Sequence, residues 1–173
     1  MNDSDLKLLY SNGYIIRQVE RLASEINRDY EGRELLIICV LKGGVIFLSD
    51  LVRRLTLPVK IDFVQLASYG SGTESQGVVE FRKSFDSSIR GKDVLIVEDI
   101  VDSGYSMEFL SEKILSQSPS SLKACVFLDK KARRKVPFEP HYVGISVEDA
   151  FLVGYGLDLD EKYRNLPGIY SKG

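Results

Sequence analysis

The sequence predicts an α/β fold, a mostly parallel twisted sheet with helices on both faces. Two observations carry that expectation. Continuous apolar runs of strand length, ELLIICVL at 34–41, DVLIVE at 93–98 and LKACVFL at 122–128, read as strands buried on both faces. Between them lie stretches whose apolar residues recur at helical spacing, and strands alternating with helices build a parallel sheet. At 173 residues, with no internal repeat or low-complexity segment, the chain fits a single domain, 1–173.

The elements follow in order. Ile15, Ile16, Val19, Leu22, Ala23 and Ile26 define a helix over 14–30, which Ser11 or Asn12 can cap and which Gly32 follows. Residues 34–41 form the first buried strand. The pair Gly43-Gly44 opens a second helical pattern, VIFLSDLVRRL, that ends before Pro58. Val59 to Ala67 partly alternates apolar and polar residues, as a half-exposed strand does. The stretch 68–77, SYGSGTESQG, is polar, glycine-rich and longer than a turn needs, which fits a mobile lid. Val78 to Arg82 reads as a short strand and Asp93 to Glu98 as the second buried one. A helix from about Ser106 to Gln117 ends before Pro119, Leu122 to Leu128 is the third buried strand, and Tyr142 to Val147 is a fourth strand. From Glu148 onward, short apolar pieces alternate with Gly and Pro.

Composition removes several function classes. The chain is 44% hydrophobic and 28% charged, ordinary for a soluble globular protein. A net charge of -2 supplies no drive toward nucleic acid or an anionic membrane. No apolar run approaches the roughly 18 residues that span a bilayer, and the opening MNDSDLKLLYSNG lacks a signal-peptide pattern. Cys39 and Cys125 sit inside apolar runs, as buried free thiols do, so the expected compartment is the reducing cytoplasm. One histidine, His141, and two buried cysteines do not make a usual zinc site.

Ligands of parallel sheets bind beyond the carboxyl ends of the strands. Three stretches converge on that rim: Lys42-Gly43-Gly44, Glu98-Asp99 with Asp102, and Asp129-Lys130. The second belongs to VLIVEDIVDSGYSM, 94–107, where a buried strand gives way to three carboxylates and a Ser-Gly-Tyr-Ser run. Amides and hydroxyls at 103–106, opening a helix, suit a phosphate. Carboxylates just before them suit sugar hydroxyls. Together they describe one ligand, a ribose phosphate. A receiver domain would carry its acid pair after the first strand, and a P-loop NTPase needs G-x-x-x-x-G-K-[ST], which is absent. G-x-G-x-x-G and G-x-S-x-G are absent too.

VLIVEDIVDSGYSM closely resembles the signature of the type I phosphoribosyltransferases, which bind 5-phosphoribosyl-1-diphosphate. LKGG at 41–44, SYGSGTESQG at 68–77, LDKKARRKV at 128–136 and FLVGYGLDLDEKYRNLPGIY at 151–170 resemble its bacterial hypoxanthine-guanine branch. The resemblance runs from about Leu36 to Tyr170. It implies that family's fold, with a small hood contributed by the termini, about 148–173 among them. It implies that Glu98 and Asp99 hold the ribose hydroxyls and that Asp102 handles the proton at purine N7. Asp102 also opens the 5'-phosphate loop of Ser103, Gly104, Tyr105 and Ser106. Leu41, Lys42, Gly43 and Arg164 would contact pyrophosphate, with a cis Leu-Lys peptide. Lys130, Phe151, Leu152 and Asp158 would hold the purine. Magnesium is the implied cofactor, with Asp158, Glu98 and Asp99 as its carboxylates. Ser68 and Tyr69 would sit at the mobile loop.

The resemblance further implies phosphoribosyl diphosphate and a purine base as partners, no nucleic acid or membrane, and a homodimer or homotetramer. Other readings stay open at individual positions. Phe151 suits a core as well as a stacking role, and Asp158 and Asp160 suit turns. The run KKARRK at 130–135 reads as a solvated strand end beyond Lys130. It also suits a nucleotide-sensing regulator that binds RNA or DNA, the alternative function in the same fold. Ala150 stands where some relatives carry a lysine.

Overall fold

The computed structural model describes residues 6–69 and 78–172. Its strands are β1 (Leu6–Tyr10), β2 (Leu35–Leu41), β3 (Val59–Tyr69), β4 (Val78–Lys83), β5 (Asp93–Val101), β6 (Ser121–Asp129), β7 (Tyr142–Ser146), β8 (Leu152–Val153) and β9 (Ile169–Lys172). Its helices are α1 (Asn12–Asp29), α2 (Gly44–Val52) and α3 (Tyr105–Leu115), with a 3-10 turn at Lys131–Arg133. The main sheet runs β4-β3-β2-β5-β6-β7 and is parallel except for β4.

The apolar runs are buried on both faces because each face has its own layer. Leu35, Ile37, Cys39, Leu95, Val97, Cys125 and Phe127 point toward α1 and α2. The alternate residues Leu36, Ile38, Val40, Val94, Ile96, Ala124 and Val126 point toward α3. Helix α1 buries Ile15, Val19, Leu22, Ala23 and Ile26, and Ser11 Oγ accepts the Tyr14 N–H at its start. Both cysteines are free and buried, and burial pushes both thiols well up.

From β2 the chain moves first to β3 on one side and later to β5 on the other. That reversal leaves a crevice at the carboxyl ends of β2 and β5, the place where open α/β sheets bind ligands.

Three expectations change. The second buried strand does not stop at Glu98: Ile100 and Val101 pair on with Leu128 and Asp129, so Glu98 and Asp99 lie within the strand and only Asp102 lies past it. Likewise Asp129 ends β6, and Lys130 is the first residue beyond it. The second helix stops at Val52, and its last turn loosens into the bonds Arg54 N–H to Leu51 and Leu55 N–H to Val52.

The chain ends supply a second sheet, ordered β1-β9-β8 and antiparallel. Strand β1 was hidden in the sequence because LKLLY is short and leaves Leu8 and Leu9 exposed, so it shows no alternation. Of the expected lid, only the backbones of Ser68 and Tyr69 are described, ending β3 opposite Val79 and Val78; residues 70–77 lie outside the described residues.

Candidate active site

The rim of the sheet carries a cleft of about 430 Å³. Asp99, Asp102, Lys130, Phe151, Leu152 and Asp158 all line it, so six of the residues singled out in the sequence meet there. Sheet register explains the centre. Val101 pairs with Asp129, and the Lys130 N–H donates to the Val101 carbonyl at 3.0 Å. Asp102 and Lys130 therefore leave adjacent strands side by side, with Lys130 Nζ 4.0 Å from Asp102 Oδ2.

Two residues missed in the sequence complete this centre. Asp149 Oδ1 lies 3.9 Å from Lys130 Nζ and 3.3 Å from an Arg133 nitrogen, while Arg133 Nε lies 2.7 Å from Asp102 Oδ1. Asp102, Lys130, Asp149 and Arg133 thus close a ring of alternating charge. Arg134 joins the buried Asp129 carboxylate, the Phe138 carbonyl and, at 3.3 Å, the Asp102 carbonyl. Within the basic run Lys131, Ala132 and Lys135 are exposed, as at a solvated strand end, whereas Arg133 and Arg134 are structural members of the site. Only contact in space shows this, since Asp149 is sixteen residues from Arg133.

The acid pair divides between faces. Side chains alternate along a strand, so Asp99 lies on the α2 face with Leu95 and Val97, and Glu98 on the α3 face with Val94 and Ile96. Asp99 presses against the backbone of Gly43, where an added Cβ would sit 1.7 Å from Asp99 Oδ2. Glu98 lines a hollow of about 130 Å³ with Ser103, Gly104 and Ser106. Its Oε1 accepts the Asp99 N–H at 3.1 Å. Burial, helped by the Asp99 charge, pushes the Glu98 carboxyl well above the usual range.

That hollow sits at the start of α3. Gly104 precedes the helix with φ 91, a left-handed conformation open to glycine, and a Cβ there would strike Arg134 and Val136 at 2.8 Å. The Lys135 N–H donates to the Ser103 carbonyl at 2.9 Å, tying this loop to the basic segment. The first amides of a helix lack partners within it, and those of α3 belong to residues that line this hollow, Ser106 and Met107 among them, so they are available as anion donors.

On the far side, the Leu41–Lys42 peptide is cis, as the resemblance implies. Lys42 Nζ bonds Glu161 Oε2 at 2.9 Å. Arg164 donates to the Gly156 carbonyl at 2.8 Å and pairs with Asp158 Oδ1 at 2.8 Å and Glu161 Oε2 at 3.4 Å. The loop bearing these groups is anchored by Tyr155, whose ring meets Phe127 at 5.0 Å and whose hydroxyl donates to Asp50 Oδ2 at 2.8 Å. Gly156 packs on Gly43: a Cβ would sit 2.2 Å from the Gly43 carbonyl oxygen.

Phe151 is 50% exposed, which excludes the core role and leaves a flat apolar face at the cleft. Leu152 is buried beside it in β8. Tyr105 begins α3 and Ser106 follows in its first turn. Among the described residues, no three acidic, histidine or cysteine side chains gather to hold a metal by themselves.

The family model for the phosphoribosyl transferase domain matches residues 5–160. A hypoxanthine-guanine phosphoribosyltransferase of Aquifex aeolicus is 48% identical over 166 residues, covering 95% of this chain and 93% of that protein. A crystal structure of a hypoxanthine-guanine phosphoribosyltransferase from Bacillus anthracis superposes with a TM-score of 0.93 at 46% identity, covering 96% and 98% of the two chains. One from Staphylococcus aureus, a hypoxanthine phosphoribosyltransferase, gives 0.95 at 41% identity, covering 98% and 93%. With a family model matched over most of its length and relatives above 40% identical along nearly all of it, the chain belongs to the phosphoribosyl transferase family.

Proposed function

We propose that this enzyme transfers the 5-phosphoribosyl group from phosphoribosyl diphosphate to a 6-oxopurine, hypoxanthine or guanine, releasing pyrophosphate. The observation that carries it is the juxtaposition of Lys130 and Asp102 beside the exposed Phe151. A 6-oxopurine offers an oxo acceptor and an N7 proton on neighbouring edges, and an ammonium next to a carboxylate matches that pattern. Phe151 then stacks on the ring, and Leu152 meets its edge through backbone. Asp102 takes or returns the N7 proton as the glycosidic bond forms or breaks.

The same reading distributes the donor. Its 5'-phosphate sits on Ser103, Gly104, Tyr105 and Ser106 with Asp102 at the entrance. Glu98 and Asp99 meet the ribose hydroxyls, and a raised Glu98 pKa suits hydroxyl partners. Lys42 and Arg164, with the backbone of Leu41 and Gly43, offset the charge that develops on departing pyrophosphate. Magnesium belongs to this reading, and the donor set fits it. The ion favours one or two carboxylates plus substrate oxygens over an all-protein cage, and Asp158 and Asp99 both line the cleft. When bound, it would neutralise diphosphate charge.

The RNA- or DNA-binding alternative loses its footing, because Arg133 and Arg134 are engaged within the site and Lys131 faces Glu139 at 3.9 Å. No helix among the described residues is long and apolar enough to cross a membrane. We place the enzyme in the cytoplasm as a homodimer or homotetramer.

The test is turnover of hypoxanthine, guanine, xanthine and adenine with magnesium and phosphoribosyl diphosphate. Inosinate and guanylate should form, and adenylate should not. Failure of every 6-oxopurine sinks the reading. Asp102→Asn should lower kcat by about 10²–10⁴, with donor affinity little changed; retained activity would remove Asp102 from its role.

A further inference from the structure

Glu161 bridges the two cations that the proposed function assigns to pyrophosphate. Its Oε2 accepts from Lys42 Nζ at 2.9 Å and lies 3.4 Å from Arg164. Lys42 precedes α2 and Arg164 follows the Tyr155 loop, so a single carboxylate oxygen joins two separate parts of the site. From this geometry we infer that Glu161 is a resident counter-anion of the pyrophosphate site, which the diphosphate displaces on arrival and which returns as pyrophosphate leaves.

Two further features support it. The first is the backbone. Leu159 and Lys162 exchange N–H to carbonyl bonds of 3.1 and 3.0 Å, and the two residues between them, Asp160 and Glu161, have φ of 50 and 63. This is a two-residue hairpin turn with both central residues left-handed, where the second position favours glycine. A glutamate there costs backbone energy that glycine would avoid, so its side chain has a use that offsets the cost. The Glu161 N–H also donates to Asp158 Oδ2 at 2.9 Å, which orients the turn toward Arg164.

The second is exposure. The Glu161 and Lys42 side chains are 64% and 54% exposed. An ion pair in that setting is weak and parts without a desolvation penalty. It keeps two like charges compensated and oriented in the empty site, yet yields to a ligand with several anionic oxygens. Asp158 Oδ1, at 2.8 Å from Arg164, remains behind as the second partner when Glu161 moves away.

This inference rests on the pyrophosphate assignment of Lys42 and Arg164, and the experiment separates the two. Calorimetry with inorganic pyrophosphate and magnesium is run on the wild type, Glu161→Gln, Glu161→Gly and Lys42→Ala. Glycine suits the turn, so that variant removes the carboxylate while favouring the fold. Both Glu161 variants should bind pyrophosphate about two- to fivefold more tightly, the range an exposed ion pair supports. Their affinity for inosinate, which carries no diphosphate, should stay at the wild-type value. Unchanged or weaker pyrophosphate binding in both variants overturns the inference, as does equal tightening toward inosinate. Should Lys42→Ala leave pyrophosphate affinity intact, the pyrophosphate assignment itself falls.

Discussion

Gly43 is the position where the site has least room. Its φ of -59 is open to any residue, so backbone freedom is not the reason for glycine there. The reason is space, since Asp99 Oδ2 occupies the place of a Cβ. Gly43→Ala must push Asp99 or the α2 start away, and a displacement near 1 Å can cost about a hundredfold in rate. Steady-state assay of that variant should show a drop in kcat of about that size with the fold intact by circular dichroism. At this scale the sequence was informative wherever a residue type and its place on the rim said the same thing. Asp102, Lys130 and the 103–106 loop were found that way. Asp149, Arg133 and Glu161 were not, because each acts through a partner that only the fold brings near.

At the scale of elements, the segment from Lys130 to Phe138 acts as a strap rather than a loose loop. Arg134 fastens it to Asp129, which is fully buried, and its guanidinium stacks on Phe138 with a separation of 5.6 Å. Removing one partner of a buried pair leaves an uncompensated charge and costs about 3–5 kcal/mol. Arg134→Ala should therefore lose about 3–5 kcal/mol of unfolding free energy and unfold at lower urea concentration. Arg133→Ala, whose side chain is 39% exposed, should leave the urea midpoint near wild type and lower kcat instead. Charge composition alone made this run look solvated, since a run of cations says nothing about buried acids elsewhere. The long strands and helices were legible because two-faced burial writes continuous apolar runs. Their ends were less so: β5 continues through two acids because Ile100 and Val101 keep pairing.

For the whole molecule, acid stability follows from a few carboxylates held by the fold. Asp62 accepts the N–H groups of Asp86, Ser87 and Phe63 at 2.8, 2.7 and 2.7 Å, fixing the chain that crosses from β4 to β5. Burial alone would raise its pKa, but the bonds from Ser87, Phe63 and Asp86 outweigh it and hold the group below its ordinary value. A depressed folded pKa contributes stability above the unfolded value near 3.9, and that stability is lost as pH falls through the folded value. Asp62→Asn should thus be less stable by about 2 kcal/mol at pH 7. The gap to wild type should narrow steadily below about pH 4 in urea titrations. The main sheet was legible at this scale. The terminal sheet was not, since its strands are short and pair across almost the full length of the chain.

That terminal sheet also sets an order of events during synthesis. Strands β2, β3, β5 and β6, with Lys42, the acid pair and the 103–106 loop, all lie before residue 130. Strand β8, which carries Leu152 beside Phe151, finds its neighbour only when Ile169–Lys172 appears, and that strand in turn needs Leu6–Tyr10. On a ribosome adding about 5–20 residues per second, the rim formed by β2, β5 and β6 can be assembled seconds before Phe151, Leu152, Asp158 and Arg164 exist. A nascent chain halted between the two stages would carry Lys42, the acid pair and the 103–106 loop on a finished sheet while the other wall of the cleft is still missing.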